Sequence, residues 1–163
     1  MKKLIAMLLA LCIAATALAC NAHTPEALAE QFIAVVNAKD QGKQKALIHP
    51  SCFQGLSAVQ RQFLNEVLAR DFRETIPQTR TAKVTKLDEG ELPFSGMVVW
   101  PTKPTHQLEI EFSTGEHSST SIIRFIAKEK DQWFIIVPMA NDENLKKYEE
   151  KKKSQPVAPP DKK

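Results

Sequence analysis

The chain has 163 residues, 43% of them apolar and 25% charged, with a formal net charge of +3; that length suits one domain with a real core. Setting aside Lys2 and Lys3 leaves +1, and the stretch from Lys146 to Lys163 holds seven Lys against Glu149, Glu150 and Asp161, so the body from Cys20 to Leu145 carries −3. A body of that sign has no reason to grip a phosphate backbone, which excludes nucleic acid as a partner.

The N-terminus reads as an export signal. Lys2 and Lys3 precede an uncharged run from Leu4 to Ala15, and small residues follow at Ala17 and Ala19. The run is too short for a bilayer span, which needs about 20 apolar residues. The expected division is a signal peptide over 1–19, one α+β domain over 20–145, and a charged, Pro- and Lys-rich tail over 146–163 that is largely disordered. Thr16-Ala17-Leu18-Ala19-Cys20 resembles a lipoprotein signal, which makes Cys20 a lipid anchor on a membrane facing the periplasm. Ala17-Leu18-Ala19 also suits the ordinary A-x-A cut, which leaves a soluble periplasmic or secreted protein. Cys20 is then free to bridge Cys52.

Thr24-Pro25-Glu26 opens a helix, with a capping hydroxyl, a proline for the first turn and an acid at the positive end of the dipole. Ala27, Leu28, Phe32, Val35 and Val36 continue it to about Lys39, before the breaker Asp40-Gln41-Gly42. A short helix from about Lys43 to Ile48 ends at His49-Pro50. The first helix travels about 22 Å, the second returns about 9 Å, and an extended step from His49 adds about 13 Å, so Cys52 can come back towards Cys20. Leu56 to Phe72 is a third, amphipathic helix with Val59, Phe63 and Val67 on one stripe.

After Pro77 the apolar period falls from 3.6 to 2. Strands are expected over Thr81–Leu87, Met97–Trp100, His106–Phe112, Ser119–Lys128 and Trp133–Val137, with turns at Ser113-Thr114-Gly115-Glu116 and Lys128–Gln132. The fold class is α+β: N-terminal helices packed on a curved antiparallel sheet of about four strands. Ile122, Ile123, Phe125 and Ile126, then Trp133 to Val137, are apolar on both faces. The face away from the helices therefore needs a cover, either the tail segment or a second copy of the chain.

EALAEQFIAVVNAKDQGKQKALIHPSC resembles the opening of nuclear-transport-factor-2-like domains, the cone-shaped cystatin-like superfamily that includes SnoaL-like proteins. DQWFIIVP resembles the closing strand of that family. The resemblance implies a cone-like fold over roughly Thr24 to Pro138, and often a homodimer through the back of the sheet. It leaves function open, since the fold hosts enzymes, carriers and scaffolds. Isomerases of the family use an Asp base and a Tyr donor inside the cone. The only Tyr here is Tyr148, in the charged tail, so that pair does not transfer. Dehydratase relatives use cavity histidines, for which His49 and His106 are the candidates.

The candidate pocket comprises Phe32, His49, Phe72, Trp100, His106 and Phe125; the plain alternative is that these aromatics fill the core. His49 and Cys52, with His106 and His117, lack the spacing of a zinc site, so no metal and no cofactor is expected. Glu109 and Glu111 share a strand face and read as its solvated side, with Arg124 able to pair with one of them across the hairpin. The expected role is a non-enzymatic envelope module that binds a partner protein or a small apolar ligand. The alternatives are a cavity hydrolase or isomerase using His and a carboxylate, and an immunity or inhibitor protein.

Overall fold

The structure is a computed structural model and describes residues 22–73, 75–88, 92–115 and 118–154. The expected signal segment, Cys20, His117 and the tail beyond Ser154 lie outside the described residues.

The helices start and stop where local chemistry dictates. Helix α1 (Pro25–Ala38) is capped by Thr24, whose hydroxyl accepts the Ala27 N–H at 3.1 Å, and it ends at Lys39 in the left-handed region. Helix α2 (Gln41–Ala46) follows Asp40, which caps Lys43 N, and His49 caps a 3-10 turn over Pro50–Phe53. Helix α3 (Ala58–Arg70) begins with a capping box between Ser57 and Gln60, and a 3-10 turn, Asp71–Arg73, continues it. Asn37 then pins the exit. Its side chain donates to Ile76 O at 2.9 Å and accepts Ile76 N–H at 2.8 Å.

The strands are β1 (Arg80–Lys86), β2 (Val98–Val99), β3 (His106–Gly115), β4 (Ser118–Glu129), β5 (Gln132–Ile136) and β6 (Met139–Ala140), followed by helix α4 (Asp142–Ser154). One antiparallel sheet has the order β1-β3-β4-β5, and β2 pairs separately with β6. The architecture is α+β. The expected strand over Met97–Trp100 therefore exists in shortened form but leaves the main sheet.

Strand alternation sorts the side chains. Leu108, Ile110, Phe112, Ile126 and Ile135 point inward and pack with Leu28, Phe32, Val36, Leu47, Ile48, Leu64 and Leu68 in one buried core. On the opposite face, Phe125, Ala127 and Ile136 are also buried. Their cover includes the segment Pro93–Trp100: the Phe94 and Trp100 rings meet Phe125 edge-on at 5.9 and 5.1 Å. Among the described residues, that segment supplies the aromatic cover over Phe125. Ile123 remains 43% exposed on the same face.

The outer edge of β5 is sealed by the N-terminal half of the chain. Trp133 N donates to Ala22 O at 2.7 Å, Ile135 N to Leu47 O at 2.9 Å, and Val137 N to Cys52 Sγ at 3.5 Å, while His49 N donates to Ile135 O at 2.9 Å. Ala22 is fully buried there.

The C-terminal helix crosses the boundary drawn at Leu145. Its Leu145 is buried, Tyr148 meets Phe63 of α3 edge-on at 5.5 Å, and Lys152 pairs with Glu66 at 2.7 Å. At least as far as Ser154, then, the Lys-rich stretch is ordered and docked by one face, because Leu145, Tyr148 and Lys152 recur at helical spacing.

Candidate functional site

The principal cavity is a cleft of about 520 Å³. It opens between α1, α3, the end of β5, and the Pro93-Phe94 segment. Phe32, Ile48, Val67, Leu68, Phe94, Phe125, Ile136 and Val137 make its apolar wall. Volume and lining fall in the range of small-molecule sites.

Its polar part is a single network. Arg124 donates through Nη2 to Asp71 Oδ1 and through Nη1 to Ile123 O at 2.6 Å. Gln44 Nε2 donates to the other Asp71 oxygen, Oδ2, at 2.8 Å and to Leu68 O at 3.0 Å. The guanidinium also lies over the Phe32 ring, 5.2 Å from its centre. Burial lowers Arg124 to about 10, so it stays charged at neutral pH. Two opposite charges thus cancel in the wall, and Arg70 adds an exposed cation at the rim.

Of the six expected pocket residues, the structure brings two to this cleft, Phe32 and Phe125. Phe72 lines a separate cavity of about 300 Å³ with Gln41, Gln44 and Asn65. Trp100 meets Phe125 edge-on without lining the cleft and donates its indole N–H to Pro93 O at 3.0 Å. His106 lies edge-on against Trp133 at 5.0 Å, with Nδ1 2.9 Å from Thr105 Oγ1. Position along the sheet explains the miss: His106 pairs with Ile126 and shares the face of Arg124, but its ring packs against Trp133, towards the end of β5 away from the cleft.

His49 also points elsewhere. Its Nδ1 accepts Ser51 N–H at 3.2 Å and lies 2.7 Å from Ser51 Oγ, its Nε2 is 3.0 Å from Glu129, and its ring meets Phe134 edge-on. Ser51 Oγ is in turn 2.8 Å from Thr102 Oγ1. The two histidines and a carboxylate therefore do not converge on one floor. Cys52 is buried and has no disulfide partner among the described residues, and burial pushes its thiol pKa up. Among the described residues, no group of three or more His, Cys, Asp or Glu is placed to share a metal ion.

Arg124, Asp71, Gln44 and Phe94 were not anticipated as site residues. A signal for Arg124 was present. Period-2 alternation puts it on the same face as Ile122 and Ile126, and an inward charge on a strand demands a partner. The expected partners, Glu109 and Glu111, belong to the opposite face; Glu109 sits across from Ile123, and Arg124 across from Leu108. No residue pattern links Asp71 to Arg124, because the helix-to-sheet packing that joins them is tertiary.

Comparison with known proteins adds no relative: no family model matches the chain, and neither a curated protein nor a solved structure matches it.

Proposed function

We propose that the protein is an exported envelope module that binds, without chemistry, a small apolar ligand or an apolar part of a partner protein in the cleft beside Arg124. One observation carries this reading. The cleft is walled by aliphatic and aromatic side chains, and the Asp71–Arg124 pair, with Gln44 on the second Asp71 oxygen, leaves no uncompensated charge in the wall itself. Such a wall rewards the removal of apolar surface from water at about 25 cal/mol per Å². The order of helices followed by an antiparallel sheet is compatible with the cone-shaped superfamily that the end segments resemble.

The mount in this reading is a lipid on Cys20. Supporting it over a bridge to Cys52, Ala22 docks at Trp133 whereas the Cys52 thiol sits at Val137, about 13 Å further along β5. A disulfide requires Cys20 to run back along most of that strand.

Titration of purified protein with 1-anilinonaphthalene-8-sulfonate tests the binding reading. Saturable binding is expected, and Val67→Trp, which fills the cleft, should abolish it with the fold intact. Binding that survives Val67→Trp, or no binding at all, sinks the assignment of this cleft. Intact mass of the envelope-extracted protein tests the mount: a diacyl or triacyl adduct at Cys20 is expected, and a loss of two hydrogens overturns it.

A further inference from the structure

Strand β4 is longer than the strand that covers it. β5 pairs with Phe125 to Glu129 and stops at Ile136, opposite Phe125, while β4 extends back to Ser118. The chain then reaches Pro138, which has no N–H to continue the ladder, and turns off to pair β6 with β2.

The direction of the exposed backbone groups follows from parity. The N–H groups of Trp133, Ile135 and Val137 point away from β4, towards Ala22, Leu47 and Cys52. Gln132, Phe134 and Ile136 therefore face β4, where they meet Glu129, Ala127 and Phe125. Continuing the alternation along β4, the backbone groups of Ile123 and Ser121 point into the space that β5 vacates; Ile123 O already accepts from the Arg124 guanidinium at 2.6 Å, which leaves its second lone pair for an added strand. Ile123 lines the cleft. Among the described residues, the cleft is thus bounded along one side by an unfilled strand position as well as by side chains.

We propose that its occupant is an extended peptide segment of a partner, about five residues long, that adds as a strand beside Ser121 and Ile123. The inference rests on the reading of this cleft as the binding site. Five residues match the stretch from Ser119 to Ile123, about 13 Å at 3.3 Å per residue. Side chains on one face of the added strand meet Phe32, Leu68 and the Arg124–Asp71 pair. Those on the other meet Phe94 and Phe125, so the segment is apolar on both faces. Arg70 at the rim selects one acidic side chain within it. Main-chain hydrogen bonds supply attachment and the flanking walls supply choice, the mode of β-strand addition.

The test uses acetyl-Val-Ile-Val-Glu-Val-amide and its Lys counterpart, together with versions of the Glu peptide N-methylated at residues 1, 3 and 5 or at residues 2 and 4. The Glu peptide should bind, and the Ser121 and Ile123 amides should gain about tenfold or more protection from hydrogen exchange. One of the two methylated peptides should lose about tenfold or more in affinity, having lost the N–H groups that pair with β4. Arg70→Glu should reverse the preference from the Glu to the Lys peptide. Equal binding by both methylated peptides, or unchanged exchange at Ser121 and Ile123, overturns strand addition. If 1-anilinonaphthalene-8-sulfonate binds in the cleft and no peptide does, strand addition fails while the apolar-ligand reading stands. If neither binds, both fail.

Discussion

Asp71→Leu is the most revealing single substitution. The carboxylate holds Arg124 through one oxygen and Gln44 through the other. Removing it leaves a desolvated guanidinium with no counter-charge, whereas Gln44 keeps its bond to Leu68 O. Breaking a buried pair from one side costs about 3–5 kcal/mol. The Arg124 side chain remains 25% exposed through the cleft, so the low end applies, about 3 kcal/mol. That is a large part of the roughly 5–15 kcal/mol that holds a domain together. In urea it moves the midpoint down by about 2 M for a slope near 1.5 kcal/mol/M. The double variant Asp71→Leu/Arg124→Met replaces both charges by apolar groups and should recover to within about 1 kcal/mol of the parent. Urea melts of the parent, the single and the double variant at one pH give the coupling directly. A single variant that loses less than about 1 kcal/mol, or a double that is no better than the single, refutes the claim that the pair is buried and mutually dependent.

Three further outcomes follow from contacts elsewhere. Ser51, though close to His49, should not label with a fluorophosphonate, because His49 Nδ1 is already engaged as the cap of the Ser51 N–H; labelling that His49→Ala abolishes defeats the non-enzymatic reading. The buried Cys52 thiol, its pKa raised by desolvation, should resist a disulfide reagent at pH 8 until the chain unfolds. The unfolded protein should then titrate one thiol if Cys20 is lipidated, two if Cys20 is free, and none if the two are bridged. Lys152 holds the Glu66 carboxylate below its usual range, so Glu66 stabilises the docked helix α4 above its ordinary pKa of 4.5, and that stabilisation is lost as the pH falls through the lowered value. Both side chains are partly exposed, which limits the effect to under about 1 kcal/mol. It should appear as faster amide exchange in α4 on acidification, and Glu66→Gln should remove the part of that pH dependence that does not come from the Glu143–Lys147 pair within the helix.

The local architecture was legible because local chemistry sets it. Thr24-Pro25, Asp40 and His49-Pro50 are short-range caps and stops, and Leu108, Ile110 and Phe112 alternate without ambiguity. The site was legible only in part. Phe32 and Phe125 are apolar residues on periodic elements, so a pocket guess reaches them. His106 and Trp100 are equally aromatic, yet one lies one register position from the cleft and the other lies outside the sheet. Asp71 illustrates the limit most clearly. Its role depends on the packing of a helix end against β4, and nothing near it in the chain announces a cation 53 residues later.

The seal on β5 also sets an order of assembly. Its backbone groups are satisfied by Ala22, Leu47, His49 and Cys52, yet Trp133 comes 111 residues after Ala22. A chain emerging N-terminus first presents the sealing segments long before the strand they seal. Those segments must wait with unpaired carbonyls until nearly the whole domain has emerged. Closing so long a loop is entropically late and slow. The domain is therefore expected to lock in one final step, when the last strand of the sheet meets Ala22 and the segments that follow it.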